Sequence, residues 1–399
     1  MLRVGALAVL VISFCLCGWA QENRLGNPPG TVDRLVLIEG AQALMGRAAR
    51  AEGVEASADG SGVQLAAGAT AGVLELKPVA PDIPFNELLP SWNGHAPDGT
   101  GFRVSLSAGP TGWFEAGTWG TVPGAPEKRS TLSLPGGAYF LDYLVLEQPA
   151  KSVSVRVEMF RPDAATPSPV VRLIALAATN STGDRRLAKR FGADKPPVSA
   201  ALARLETTRT AVVPFRSQVV PNTKWIGRLC SPASVAAALE HFGAGRPTQE
   251  VAASVYDPTC DMFGVWHRNV QGAAQMGVRG YLRRFRNFDD VAEELARGSV
   301  IAASIRFKFG ELDPRHLPPM YRKRGTEGHI VIVEGFAPGG GVIVNDSASK
   351  DYGRHNVWRQ EDLAKAWFDK GGVAYVFTGP VSSAKPAKPA EPVARGRVR

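Results

Sequence analysis

The sequence predicts a multidomain chain in which an antiparallel β-sandwich or jelly roll precedes an α+β domain. The 399-residue chain is too long for one ordinary domain. Short strand-like runs separated by turn residues fill positions 82–180, where helical periodicity is nearly absent. After position 211, helical segments with defined ends come first and a strand-rich stretch follows them. We therefore expect two folded units of different class.

The composition is that of a globular protein with an excess of positive charge. Hydrophobic residues make up 44% of the chain and charged residues 21%, which excludes a disordered or a membrane-embedded chain. The formal net charge of +9 concerns association with surfaces more than fold. Because the basic clusters lack interleaved aromatic residues, no nucleic-acid partner is expected.

The first twenty residues read as a cleaved secretory signal. Arg3 precedes a long apolar run at positions 4–17, and small residues ending at Ala20 follow it. We expect export to the periplasm or the medium, with no stable membrane span after cleavage. Of four cysteines, Cys230 and Cys260 then remain. In an oxidising compartment they form a structural disulfide, or one is a nucleophile and the other a bystander.

Shifts in composition predict the boundaries of the parts. Pro196 and Pro197 follow a basic cluster in a polar stretch, which indicates a linker, and the Ala/Lys/Pro-rich end is typical of a disordered tail. The predicted parts are a signal peptide at 1–20, a lead-in with sandwich strands at 21–81, an accessory β-sandwich at 82–180, a linker at 181–210, the α+β domain at 211–380 and a basic tail at 381–399.

Alternating apolar residues justify the strands of the first half. The sets at positions 102, 104, 106 and at 153, 155, 157 alternate with polar partners, as in half-buried strands. Strands are predicted at 35–38, 63–65, 72–76, 101–107, 112–119, 139–146, 152–160 and 170–177.

Three tryptophans in this half have two interpretations. Trp92, Trp113 and Trp119 either stack on sugar rings or cap the sandwich core, and the core is favoured because no polar cluster accompanies the rings. The segment loosely resembles the galactose-binding-like modules that precede secreted bacterial hydrolases. That resemblance implies contact with glycan or cell wall through the sandwich.

The second half begins with a helix that places a cysteine at its start. Ser231 as N-cap, Pro232 at the first helical position and Gly243 at the end are typical start and stop signals. Cys230 then lies at the helix N-terminus, where backbone N–H groups and the macrodipole favour thiolate over thiol. Further helices are predicted at 248–255, 269–276 and 289–297.

Two neighbouring strands carry the polar partners for this cysteine. His329 begins one apolar strand, and Asn345 and Asp346 end the next, after a turn at 337–340 that predicts a hairpin. In a nucleophilic triad, a carboxylate orients an imidazole that acts as the general base. Cys230 would be the third member of such a triad. Only one of Asn345 and Asp346 reaches His329, and Asp346 is favoured because a carboxylate stabilises imidazolium better. Other strands are predicted at 300–305 and 373–378.

The remaining polar residues are assigned less specific roles. Gln218, upstream of the cysteine, has a side-chain amide suited to a developing oxyanion, and the Cys230 N–H is the natural second donor. His267, His316 and His355 line the cleft or are exposed. Metal-ligand spacing does not occur, so neither a metal nor another cofactor is expected.

The chain presents Gln218, Cys230, His329 and Asp346 in this order, within the motifs VPFRSQ, CSPAS, GHIVIV and VND. This order and these motifs resemble papain-like cysteine peptidases. The nearest branch is the double-glycine type that processes bacteriocin leader peptides. The resemblance implies a papain-like α+β fold and cleavage of a peptide or protein substrate. By matching position, it implies that Gln218 is the oxyanion donor and Cys230 the nucleophile. It likewise implies that His329 is the general base and that Asp346 orients it. Leu229 and Ser231 flank the cysteine where the family usually has a carboxylate or glycine, and no transporter spans or P-loop follow.

Two other functions fit the same residues. Acyl transfer to an amine, or hydrolysis of cell-wall amides, would use an identical triad, and product analysis would separate them. A non-catalytic protein with a vestigial triad would bind glycan or peptide, and thiol alkylation would leave its binding unchanged.

Overall fold

The computed structural model describes residues 25–128, 130–210, 212–221, 225 and 227–381. The predicted signal peptide, the first residues of the lead-in and all but the first residue of the predicted tail lie outside these residues. Within the described part, no helix combines the length and the apolar character that crossing a membrane requires.

The first half is built from antiparallel strands in two sheets. Helix α1 (Gly40–Gly46) follows the first strand. The strands are β1 (Val32–Glu39), β2 (Ala48–Glu52), β3 (Val54–Ala56), β4 (Val63–Leu65), β5 (Ala71–Leu76), β6 (Phe85–His95), β7 (Gly101–Ala108), β8 (Phe114–Gly120), β9 (Leu132–Leu134), β10 (Gly137–Phe140), β11 (Tyr143–Ala150), β12 (Val153–Phe160) and β13 (Val170–Asn180). One sheet has the order β3-β4-β13-β6-β11-β10-β9, with β1 beside β13, and the other β2-β5-β12-β7-β8.

One apolar core is shared by these two sheets. Residues on β12 alternate between buried and half-buried, as the sequence predicts, and Val155 packs in the same cluster as Leu88 and Ile174 of the other sheet. Trp92 is 1% exposed and Trp119 6%, so these rings belong to the interior. The large antiparallel region is confirmed, and the jelly-roll connection stays a prediction.

Trp113 differs from the other two tryptophans of this half. It is 39% exposed, and the Arg156 guanidinium lies 4.1 Å from its ring centre. The core interpretation therefore fits two of the three rings.

The stretch predicted as a linker is folded and anchored. Helix α2 (Arg185–Phe191) begins after Asp184, whose carboxylate accepts hydrogen bonds from two backbone N–H groups, and ends at Gly192 with φ 61°. A 3-10 turn, Leu202–Arg204, follows α2 within the same stretch. The Ser199 N–H donates to Gln360 Oε1 at 2.7 Å, which ties this stretch to the second half.

In the described residues of the second half, five helices combine with one antiparallel sheet of seven strands. Its elements in chain order are β14 (Arg209–Thr210), α3 (Cys230–His241), α4 (Thr248–Val255), α5 (Trp266–Gln275), β15 (Val278–Arg284), α6 (Phe288–Ala296), β16 (Val300–Phe307), β17 (Thr326–Phe336), β18 (Val342–Asn345), β19 (Asn356–Trp358), α7 (Gln360–Trp367) and β20 (Val373–Pro380). The sheet order is β15-β20-β16-β17-β18-β19, with β14 beside β17. Strands β17 and β18 form the predicted antiparallel hairpin.

Two local predictions need correction. Ser231 is not the N-cap of α3, because the helix begins at Cys230 and the Ser231 hydroxyl lies 3.0 Å from Tyr375 Oη. The single strand expected at 139–146 is two strands, β10 and β11, joined by a tight turn at Leu141 with φ 55°. For Ser231 the reason is a tertiary contact, since its hydroxyl pairs with a tyrosine of β20 that is 144 positions away.

The two halves share buried apolar side chains along a common seam. Leu89 and Ala177 of the first half belong to the same cluster as Val235 and Leu239 of α3. Leu173 of β13 likewise packs in the cluster that covers the other face of the seven-stranded sheet. The chain is therefore not two independent bodies on a flexible tether.

Side-chain amides complete the backbone hydrogen bonding along the seam. Strand β15 is an edge strand, and Asn93 of β6 donates to the Gly280 carbonyl at 2.8 Å while accepting from the Gly280 N–H at 3.1 Å. Gln271 of α5 repeats this arrangement on Gly94, at 2.9 Å and 2.8 Å. Each amide acts as one residue of an added strand, and Asn93 thereby covers part of the outer edge of β15.

Candidate active site

Cys230 lies at the N-terminal end of α3, a largely buried helix of the second half. Every residue from Ser231 to Leu239 is buried, which holds α3 against the sheet. The backbone N–H groups of Ser231, in the first turn, and of Ile330, in β17, lower the pKa of the Cys230 thiol. Unpaired amide donors and the helix dipole at this end favour a negative charge there.

His329 and Asp346 meet on neighbouring strands, as the hairpin predicts. His329 Nε2 lies 2.7 Å from Asp346 Oδ1, and both residues are buried, with exposures of 7% and 0%. The Asp346 carboxylate also accepts the Ala348 N–H at 2.9 Å. Because Nε2 is engaged by Asp346, Nδ1 is the ring nitrogen left for an interaction with the Cys230 thiol, which is one of the causes that raise the pKa of His329.

The proton affinities of the three groups shift in the sense that ionic pairing requires. Burial alone raises the pKa of the Cys230 thiol, but the hydrogen bond and charge of His329 and the two N–H groups lower it overall. Burial opposes charge on His329, yet the Asp346 carboxylate and the Cys230 sulfur raise the pKa of His329 to about 10. The pKa of Asp346 is lowered against its burial, chiefly by His329. Because the pKa of Cys230 is lowered and that of His329 is raised to about 10, a thiolate–imidazolium pair is favoured over a thiol–imidazole pair.

Asn345, the open alternative to Asp346, faces the other way. Its Nδ2 donates to the Val213 carbonyl at 3.0 Å, and its Oδ1 accepts the His355 N–H at 3.0 Å. It fixes the chain upstream of Gln218 and makes no contact with His329 among the described hydrogen bonds. The preference for Asp346 as the partner of His329 thus agrees with the geometry.

Gln218 lies close to the loop that follows Asp346. It is 4% exposed, its N–H donates to the Ser347 carbonyl at 2.9 Å, and its Oε1 accepts the Ser347 hydroxyl at 3.4 Å. Gln218 is thereby held at the end of the sheet that carries the triad. Its role as an oxyanion donor stays a prediction.

The other histidines have structural surroundings. His267 is fully buried and lies 4.7 Å from the Trp92 ring at the seam, which corrects the expectation that it is exposed or lines the cleft. His355 Nδ1 lies 2.7 Å from Glu334 Oε2, and His316 Nδ1 lies 2.7 Å from an Arg359 nitrogen.

Sequence analysis missed Tyr321. This residue is 4% exposed, and its hydroxyl donates to Asp346 Oδ2 at 2.6 Å. It lies in a 3-10 turn, Pro319–Tyr321, within an irregular stretch that has no periodicity, so no local signal marks it.

The cysteines and the ligand-forming side chains bear on the remaining alternatives. The thiols of Cys230 and Cys260 are not joined to each other, which leaves Cys230 as a thiol available for chemistry. Across the described residues, no group of three or more His, Cys, Asp and Glu side chains is arranged to hold a metal ion.

Comparisons with known proteins address the family. Residues 210–375 match the Peptidase C39-like family, and residues 39–179 match the Peptidase C39 N-terminal domain. No curated protein is significantly similar in sequence.

Solved structures give weaker likenesses. One is a crystal structure assigned as a C39-like peptidase from Bacillus anthracis, which is 15% identical in sequence. The match covers 46% of this chain and 100% of that chain, with a TM-score of 0.33. The catalytic domain of a GH87 alpha-1,3-glucanase with bound tetrasaccharides is 15% identical over 38% of this chain and 28% of its own, with a TM-score of 0.14. TM-scores this low establish no shared fold.

The family matches confirm the cysteine-peptidase resemblance of the second half, which was based on the Gln218, Cys230, His329 and Asp346 motifs. They also link the first half to such peptidases, while its resemblance to galactose-binding-like modules stays a prediction. The chain therefore carries a domain of the Peptidase C39-like family, preceded by a Peptidase C39 N-terminal domain.

Proposed function

We propose that this protein is an exported cysteine peptidase that hydrolyses peptide bonds with Cys230, His329 and Asp346. The observation that carries the proposal is the buried contact of 2.7 Å between His329 and Asp346, beside a Cys230 thiol whose pKa the same imidazole lowers. The same contact favours a working site over a vestigial one, because a buried ion pair with no role costs stability.

The proposed reaction begins with attack of the Cys230 thiolate on the carbonyl carbon of a peptide bond. A carbon–sulfur bond forms, and the negative charge moves to the carbonyl oxygen, which accepts hydrogen bonds from the Cys230 N–H and the Gln218 amide. The His329 imidazolium gives its proton to the leaving amine as the carbon–nitrogen bond breaks. Water, deprotonated by His329, then attacks the thioester carbon; the carbon–sulfur bond breaks, the carboxylic acid product leaves, and the thiolate–imidazolium pair is restored.

Asp346 acts on His329 throughout this cycle. Its carboxylate holds the ring with Nε2 toward the carboxylate, which leaves Nδ1 directed at the sulfur and the substrate nitrogen. It also stabilises the charged imidazole, as the pKa of about 10 for His329 indicates.

The domain arrangement and location are further parts of the proposal. We infer a papain-like C-terminal domain at 211–380 and an accessory β-sandwich that supports it along the seam. Residues 1–20 would direct export and then be removed. A glycan or cell-wall contact through the sandwich is a weaker part of this proposal, for which exposed Trp113 is the available ring.

The test uses the full chain without its first twenty residues and fluorescein-labelled casein as the substrate. We expect release of labelled peptides, complete loss in Cys230→Ala, and unchanged release in Cys260→Ala, the matched control. Iodoacetamide should modify Cys230 well below pH 8.5, the approximate pKa of a free thiol, as mapped by mass spectrometry. Undiminished cleavage by Cys230→Ala would refute the proposal. Consumption of an acyl donor with an added amine, without release of free acid, would favour acyl transfer instead.

A further inference from the structure

The irregular stretch between β16 and β17 contributes one buried hydroxyl to the candidate triad. It folds into two 3-10 turns, and the second ends at Tyr321. The Tyr321 ring packs against Phe307 with ring centres 5.3 Å apart and against Trp358 at 5.6 Å. These two contacts fix the ring from two elements of the sheet, so the position of its hydroxyl is determined by the fold.

This hydroxyl completes the hydrogen bonding of the Asp346 carboxylate. Oδ1 accepts from His329 Nε2 at 2.7 Å and from the Ala348 N–H at 2.9 Å, whereas Oδ2 accepts from Tyr321 at 2.6 Å. Asp346 is wholly buried, so an oxygen without a donor would carry a large desolvation cost. The two oxygens therefore have different partners, which sets the rotation of the carboxylate.

We propose that Tyr321 is a positioning residue of this site: its hydroxyl holds the Asp346 carboxylate with Oδ1 toward His329. The inference rests on the proposed function, because it assigns Tyr321 to the same triad. Tyr321 does not reach the substrate in this role. It acts through Asp346 on the orientation and charge of His329.

The ionisation states of the neighbouring groups agree with this role. Burial and the Asp346 carboxylate raise the pKa of Tyr321 well above its ordinary value, so the hydroxyl stays protonated and donates. The charged or titratable groups that face the pair are His329 from β17, Cys230 from α3 and Arg324 from the following turn. Of these, only Arg324 does not take part in the proposed reaction.

Loss of the Tyr321 hydroxyl should raise the pKa of Asp346. The Tyr321 hydrogen bond is one of the causes that lower the pKa of Asp346, so Asp346 protonates at higher pH without it. A neutral Asp346 no longer stabilises imidazolium, and the Cys230 thiolate then loses its counter-charge. The acidic limb of Cys230 reactivity should move to higher pH by about one unit, a tenfold loss of rate on that limb, as expected for one hydrogen bond to a buried charge.

The experiment measures the rate of Cys230 alkylation by iodoacetamide from pH 4 to 9 in the full chain and in Tyr321→Phe. Phenylalanine retains the ring packing, and thermal unfolding checks the fold. Tyr281→Phe is the matched control, because Tyr281 is 6% exposed and its hydroxyl donates to Glu294 Oε1 at 3.4 Å, a carboxylate that takes no part in the proposed reaction. We expect the shift in Tyr321→Phe and the wild-type profile in Tyr281→Phe. Cleavage of labelled casein by Tyr321→Phe should show kcat lowered about tenfold and KM within twofold.

A double-mutant cycle separates positioning from general damage. In the Asp346→Asn background, Tyr321→Phe should cause no further shift, because the charge on which it acts is gone. A Tyr321→Phe profile that overlays the wild type, or an equal shift in both backgrounds, would overturn the inference. Failure of the proposed function has a different signature, since Cys230→Ala would then keep cleaving casein while the alkylation profiles still report on Tyr321.

Discussion

Asn93→Ala tests whether the two halves fold as one unit. Asn93 is 2% exposed and makes hydrogen bonds of 2.8 Å and 3.1 Å with the carbonyl and the N–H of Gly280. Alanine removes both and leaves two buried backbone groups of an edge strand without partners. A net loss of about 1 kcal/mol per hydrogen bond, plus part of the desolvation cost of the orphaned groups, predicts a decrease of about 3 kcal/mol in the free energy of unfolding.

Urea denaturation followed by tryptophan fluorescence measures this loss. The wild type should unfold in one transition seen equally by fluorescence and circular dichroism, because the halves share a core. Asn93→Ala should lower the midpoint with an unchanged m-value. Asn356→Ala is the control, since Asn356 makes a single exposed hydrogen bond of 3.2 Å, and it should cost less than about 0.5 kcal/mol. Two separate transitions in the wild type, or an Asn93→Ala loss as small as that of the control, would contradict the argument.

Three further predictions concern the site and its support. The pKa of His329 rises from 6.5 to about 10 on folding, so the contribution of this group to the free energy of unfolding is complete below about pH 6.5 and is lost as the pH rises through 10. Casein cleavage should decrease over the same alkaline range, the alkaline limb of its pH profile. A decrease near pH 7 would contradict this prediction. Asp346→Asn should lower kcat at least about 100-fold and move that limb to lower pH, as a pH–rate profile would show, whereas an unchanged limb would remove Asp346 from the mechanism. Gly117→Ala should destabilise the fold by about 1–3 kcal/mol in urea, because an added Cβ would lie 2.8 Å from the buried Trp92 ring; wild-type stability would mean that the ring moves freely.

Local patterns in the sequence predicted the elements that obey local rules. The alternation at 153–160 became β12, buried on one face, and the helix predicted at 248–255 has the same bounds in the structure. The hairpin that joins His329 to Asp346 was also predictable, because only 17 residues separate the two. Strand order and turn residues bring such neighbours together without knowledge of the rest of the fold.

The central strand β6 escaped prediction for a physical reason. Nearly every residue of Phe85–His95 is buried, because one face of β6 packs in the sandwich core and the other lies on the second half. A strand covered on both faces shows no alternation, so its sequence reads as a set of aromatics and amides. The same burial at the end of β13 explains why the predicted strand stops at 177 rather than at Asn180.

The sequence by itself determined the chemistry of the candidate site: a cysteine at a helix start, and a histidine and an aspartate on paired strands. Only the tertiary structure decided that Asp346 rather than Asn345 meets His329, that Tyr321 completes the carboxylate, and that Asn93 closes an edge strand 187 residues away. Periodicity and turn chemistry act over a few residues, whereas these contacts depend on which buried polar groups lack partners once distant segments have packed. That pairing is a property of the folded interior and leaves no local trace in the chain.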